Sequence, residues 1–143
     1  MAEVLVTAGK VPSIGELVKL YEAVGWSAYT EHPERLMAGV KGSLRVVTAH
    51  SREGQLVGLA RVVGDGQTIA YLQDILVHPD WQRSGIGAWL IREAFLPYEH
   101  VRQQVLLTDN DPAQRAFYES LGFKEIRDVP NEELRAFVRF RAR

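Results

Sequence analysis

The residues with the clearest chemical potential are Gln82-Arg83-Ser84-Gly85-Ile86-Gly87-Ala88. They lie between a strand-like run, Thr68 to Val77, and a helical stripe of Ile86, Leu90, Ile91, Ala94 and Phe95. A helix start leaves its first amides without partners and carries the positive end of the helix dipole. Glycines at 85 and 87 let an oxygen approach the backbone, and Arg83 adds a mobile positive charge. Together these features predict an anion site, most simply for a phosphate or pyrophosphate. The competing explanation is that the glycines only let helix and strand pack closely. Two other phosphate loops do not fit. The dinucleotide fingerprint needs a third glycine where Leu90 stands, and the ATP-type loop needs a Gly-Lys-Ser/Thr ending that the chain lacks.

Asp74 is a charge within an apolar strand. A buried charge is costly unless paired, so Asp74 is either functional or salt-bridged. Gln73 and Asp74 differ in strand parity, so only one of them faces any slot beside the strand. Tyr118 follows Phe117 on a helical segment, about 100° away around the axis, and could be a half-buried tyrosine with a hydrogen-bonded tip. The four histidines are scattered and there is no cysteine, so no metal site is expected.

These residues need a scaffold. Glu3 to Thr7 reads as a short strand. Ser13-Ile14-Gly15-Glu16 is a capping box that opens a helix over 13–24, with Leu17, Leu20, Tyr21 and Val24 at helical spacing and Gly25 as its stop. Trp26 to Thr30 reads as an aromatic loop, and Pro33 to Val40 as a second helix. Leu44–Ala49 and Leu56–Val63 form a hairpin around Ser51-Arg52-Glu53-Gly54, and Thr68–Val77 is a third long strand ended by His78-Pro79-Asp80. After the helix from Gly85 to Phe95 come a strand at Gln104–Thr108 and a helix opened by Asp111-Pro112. The predicted buried face of that helix is Ala113, Ala116, Phe117 and Leu121. Two last strands are expected at Phe123–Ile126 and Leu134–Phe140. The order β-α-α-β-β-β-α-β-α-β-β predicts an α/β (α+β) layer structure, a mixed sheet carrying helices.

With 143 residues, 46% hydrophobic and 24% charged, the chain reads as one globular domain, 1–143. A net charge of -1 gives no reason to expect nucleic acid or a membrane surface as partner. No apolar run approaches the roughly 18 residues of a membrane span, the first residues do not read as a signal peptide, and a cytoplasmic location is expected. Arg135, Arg139, Arg141 and Arg143 read as a solvated strand edge and tail, although such an edge could also pair two copies as a homodimer.

The segment Gln82-Arg83-Ser84-Gly85-Ile86-Gly87 resembles the Gln/Arg-x-x-Gly-x-Gly/Ala signature of the GNAT acetyltransferase superfamily. Leu72 to Pro79 resembles that family's fourth strand. Asn110 to Ala113, with Phe117, Tyr118, Leu121, Gly122 and Phe123, resembles its Asn-x-x-Ala-x-x-x-Phe-Tyr-x-x-x-Gly-Phe segment. The match covers about Thr68 to Ile126. The resemblance implies a mostly antiparallel sheet with helices on both faces, splayed at its central strands. It implies that backbone amides of Arg83 to Ala88 hold the pyrophosphate of acetyl-CoA, and that Leu76 and Val77 pair with the pantetheine arm. One of those two amides would polarise the thioester carbonyl. It further implies a pantetheine contact for Asn110, a general-acid role for Tyr118, and an acceptor pocket near Trp26 and Tyr29, with Gln73 beside it. Asp74 is the nearest carboxylate on the strand that could take the amine's proton. The implied activity is N-acetylation of a primary amine on a small molecule or protein. A non-catalytic acyl-CoA-binding module and a nucleotide-phosphate-binding domain are the alternatives.

Overall fold

The computed structural model describes residues 3–131 and 134–141. The chain divides between Leu107 and Thr108 into two compact units. The first unit runs β1 (Val4–Ala8), α1 (Ile14–Ala23), α2 (Ser27–Thr30), α3 (Pro33–Lys41), β2 (Arg45–Ser51), β3 (Leu56–Val63), β4 (Ile69–Val77), α4 (Ile86–Phe95) and β5 (Gln103–Leu106). The second unit carries α5 (Pro112–Ser120).

The five strands form one sheet in the order β1-β2-β3-β4-β5, antiparallel except for the parallel β4–β5 pair. One face packs on α1 and α3 through Leu17, Leu20, Leu36 and Val40, which meet Leu59 and Leu76 in a single core cluster. The other face takes α4. A Cβ added at Gly58 of β3 would lie 2.8 Å from Leu90 Cδ1, so this glycine marks the crossing of helix and strand.

Local chemistry explains the ends of α1. Ser13 Oγ accepts the Glu16 amide and Glu16 Oε1 accepts the Ser13 amide, as the capping box predicts. At the other end Gly25 adopts φ +82, with Gly25 N bonding Glu22 O and Trp26 N bonding Tyr21 O. That is a Schellman stop, and it seats Trp26 against the last turn of the helix, 5.9 Å from the Tyr21 ring centre. Three side chains of α1, Leu17, Leu20 and Tyr21, are fully buried. Truncating either leucine to alanine would cost about 2–5 kcal/mol.

Three sequence expectations need correction. Trp26 to Thr30 is not an open loop, because Ser27–Thr30 closes one helical turn. The expected strands Phe123–Ile126 and Leu134–Phe140 join no ladder among the described residues. The first runs into a 3-10 turn at Ile126–Asp128, and the second leaves Phe137 and Phe140 89% and 91% exposed. Branched and aromatic residues favour a strand only where a partner strand exists. Finally, the less exposed stripe of α5 is Gln114, Phe117, Tyr118 and Leu121, while Ala113 and Ala116 are exposed. Tyr118, with Phe117 and Phe123 edge-on to its ring, sets the buried direction rather than the small alanines.

Candidate active site at the open edge of strand β4

Strands β4 and β5 pair from Ile69↔Gln103 to Leu72↔Leu106, and then β5 ends while β4 continues to Val77. The separation begins at a bulge: Arg61 opposes Asp74 and Val62 opposes Leu72, which leaves Gln73 as the extra residue. A bulge bends its strand and increases its twist. No strand among the described residues covers residues 73–77 on that side.

Backbone parity decides which groups the open edge presents. His78 donates its amide to Val57 O at 2.8 Å. Alternation along an antiparallel ladder then turns the backbone groups of Leu76 and Asp74 toward β3, and those of Ile75 and Val77 toward the open side. The sequence reading named Leu76 and Val77. Leu76 is instead engaged with Leu59 and buries its side chain in the core, and Ile75 takes its place at the edge.

Beyond Val77 the chain makes a 3-10 turn, Pro79–Trp81, stabilised where Asp80 donates its amide to His78 Nδ1. Gln82 then reaches back, its Nε2 donating to Val77 O at 2.9 Å, and Ser84 Oγ donates to Trp81 O at 2.7 Å. These bonds fold the turn without using the amides at the start of α4. Gly85 is the N-cap, with φ +85 and no side chain to cap the helix. Arg83 has φ +63, a conformation that costs a non-glycine residue roughly 1–2 kcal/mol. Ile86 is buried and anchors the turn, while Gly87 and Ala88 are partly exposed and Arg83 is exposed. Left-handed residues followed by uncapped helix amides form an anion-binding concavity. Gln82, Arg83, Ser84, Gly85, Ile86, Gly87 and Ala88 are therefore assembled as one turn continuous with the open edge.

At the bulge end of the same edge, Gly25, Trp26, Ser27, Ala28, Tyr29, Gln73 and Asp74 line a cleft of about 390 Å³. Gln73 is exposed and Asp74 is 2% exposed, so both line it but only Gln73 is open to solvent there, its Nε2 donating to Tyr29 OH at 3.3 Å. Asp74 Oδ2 accepts from Arg61 Nε at 2.6 Å and from Tyr21 OH at 2.9 Å, and Asp74 Oδ1 accepts from Tyr29 OH at 3.1 Å. Of the two sequence readings of Asp74, the structure contains the salt bridge. Burial, followed by the charge of Asp74, raises the pKa of both Tyr21 and Tyr29 above the ordinary phenol value. Tyr21 and Arg61 escaped the sequence analysis as site residues. Their signal was a single basic residue in the apolar run Leu56–Val63 matching a single acidic one in Thr68–Val77.

In the second unit, Tyr118 is 8% exposed at the centre of an aromatic group with Phe117 and Phe123. Burial, and then the charge of Asp109, raises its pKa, so the phenol keeps its proton through the neutral range. Asn110 is exposed, immediately before the cap residue Asp111, whose Oδ1 accepts the Ala113 amide at 2.9 Å. Among the described residues no cluster of His, Cys, Asp or Glu could hold a metal ion, and no helix is long and apolar enough to cross a membrane.

The profile of the acetyltransferase (GNAT) domain matches residues 42–125, a span that contains the bulge, the open edge and the turn. A GNAT-family acetyltransferase from Streptococcus pneumoniae TIGR4 is 29% identical, superposes with a TM-score of 0.80, and aligns over 96% of this chain and 100% of its own. An uncharacterised N-acetyltransferase of Pyropia yezoensis is 25% identical over 85% of this chain and 70% of its own length. An aminoglycoside N-acetyltransferase, solved with a CoA-based bisubstrate analogue, shares the fold at 16% identity and a TM-score of 0.73, over 99% of this chain and 100% of its own. With its own open strand edge and uncapped helix turn inside the matched span, the chain belongs to the GNAT acetyltransferase family.

Proposed function

We propose that this protein is an acetyl-CoA-dependent N-acetyltransferase acting on a primary amine of a small molecule or peptide. The observation that carries the reading is continuity: one unpaired strand edge, residues 73–77, joins the anion-binding turn at one end to the cleft at the other. The residues fit the cosubstrate. The turn from Gln82 to Ala88 suits a pyrophosphate, and an edge strand suits the amide-containing pantetheine arm, which pairs there as an added strand would.

Polarity along the edge follows from this order. Val77 is nearer the turn, and its carbonyl is already held by Gln82, so it offers its amide to the arm. Ile75 is nearer the cleft with its backbone turned to the open side, and its amide would polarise the thioester carbonyl. The amine attacks that carbon, charge gathers on the oxygen, and a fixed N–H stabilises it; removing such a donor typically costs about 3 kcal/mol. Sulfur leaves as thiolate and must gain a proton; the family resemblance assigns that proton to Tyr118 and a pantetheine contact to Asn110, both in the second unit. Asp74, closed in by Arg61 and two phenols, holds the site in shape and does not collect the amine's proton, which leaves through the open cleft. The test is thiol release from acetyl-CoA with a panel of primary amines. Acetyl-CoA binding with no amine-dependent thiol release would instead make the chain a CoA-binding module.

A further inference from the structure

The buried group beneath the cleft has a chemical consequence for what enters it. Asp74 is 2% exposed and Arg61 7%, and they lie directly opposite each other on β4 and β3. Arg61 also donates through Nη1 to Gly39 O at 3.2 Å and Ser43 Oγ at 3.3 Å, which ties the pair to the end of α3. A carboxylate only accepts hydrogen bonds, so both phenols must donate to it. Tyr29 has one proton, and that proton is committed to Asp74 Oδ1. Gln73 Nε2 donates to the Tyr29 oxygen at 3.3 Å. What the half-buried Tyr29 hydroxyl offers the cleft is therefore its acceptor oxygen, filled by the exposed Gln73 amide until an incoming N–H displaces it, and never a proton.

We propose that Arg61 is a positioning residue for the acceptor site: by fixing Asp74, it turns the Tyr29 hydroxyl into a pure hydrogen-bond acceptor and cancels the carboxylate charge beneath the cleft. Tyr29 then accepts the N–H of an amine and has no proton to give a carboxylate. The site also avoids a bare negative charge that would hold the amine as ammonium, a form with no lone pair for attack. The apolar walls, Trp26 and the Tyr29 ring, 5.9 Å apart by ring centres, suit an acceptor with a flat or aliphatic body behind its amine. This inference rests on the acetyltransferase reading.

The experiment is calorimetric titration, at neutral pH, of 2-phenylethylamine and of 3-phenylpropionate into CoA-saturated protein, for the wild type, Arg61→Lys, Arg61→Met and Tyr29→Phe. The wild type should bind the amine and ignore the acid. Arg61→Met, which leaves Asp74 without its counter-charge, should bind the ammonium about tenfold more tightly, the scale of one charged hydrogen bond. Arg61→Lys should stay near wild type. General damage would weaken binding, so tighter binding separates positioning from mere support. Equal binding of acid and amine, no amine binding at all, or Arg61→Met no tighter than Arg61→Lys would overturn the proposal. If Arg61→Met does not fold, Tyr29→Phe decides: most of the amine affinity should vanish while acetyl-CoA affinity is kept, and retained amine affinity overturns the proposal. Failure of the underlying functional reading looks different, since acetyl-CoA itself would then not bind.

Discussion

Arg61 Nε lies 2.6 Å from Asp74 Oδ2, across neighbouring strands at the point where the ladder slips by one residue. The bulge therefore serves two ends. It starts the divergence of β4 from β5, and it holds the one acidic residue of β4 over the one basic residue of β3. Removing either partner alone should cost about 3–5 kcal/mol, because an uncompensated charge stays behind. Thermal melting of Asp74→Ala should show that loss, and Asp74→Ala paired with Arg61→Met should recover part of it.

Tyr21 gives the same group a pH signature. Its phenol is buried against Asp74 and titrates above its ordinary value of 10.0. The unfolded chain releases this proton first as pH rises, so the contribution to stability is complete below about pH 10 and lost above it. Chemical denaturation across that range should show stability falling with pH, and Tyr21→Phe should flatten the slope.

Arg83 should separate stability from binding. Its φ of +63 suits glycine better than arginine. Arg83→Gly is expected to keep or raise the melting temperature, by up to about 1 kcal/mol of stability, while weakening acetyl-CoA through loss of the mobile charge. Loss of both together would mean that the side chain supports the fold.

Tyr118→Phe should lower kcat by about 100-fold or more, the usual scale of general acid catalysis, with acetyl-CoA affinity unchanged. Stopped-flow thiol detection alongside calorimetry checks it. An unaltered kcat removes the acid role.

Gly58 lies where α4 crosses β3, and the Cβ of Gly58→Ala would meet Leu90 Cδ1 at 2.8 Å. Leu90 is fully buried, so its methyl must shift to another rotamer within a packed core on the helix that carries the turn. A loss of about 1–3 kcal/mol is expected on melting, accompanied by weaker acetyl-CoA binding.

The proposed donor side was legible as a local arrangement because it is made of local chain: a strand, a proline stop and a glycine turn in sequence order, from Leu72 to Ala88. Helix α1 was legible for the same reason, with Ser13, Glu16 and Gly25 written at its ends. The cleft proposed for the acceptor was not. Asp74 meets Tyr21, Tyr29 and Arg61 only after three elements fold together, and no local pattern states that Arg61 faces it. The choice between Leu76 and Ile75 turned on ladder phase, which depends on where β3 pairs and where the bulge falls. The expected strands near the C-terminus failed because propensity is local while pairing is not.

In the proposed function, everything depends on the turn from Gln82 to Ala88 gripping the cosubstrate's diphosphate. The most direct measurement is calorimetric titration of acetyl-CoA into the wild type and into Gly87→Glu, with circular dichroism to confirm that both are folded. The wild type should bind, and the folded variant, with bulk and negative charge placed at the turn, should not. Equal affinity in the two proteins would contradict the assignment.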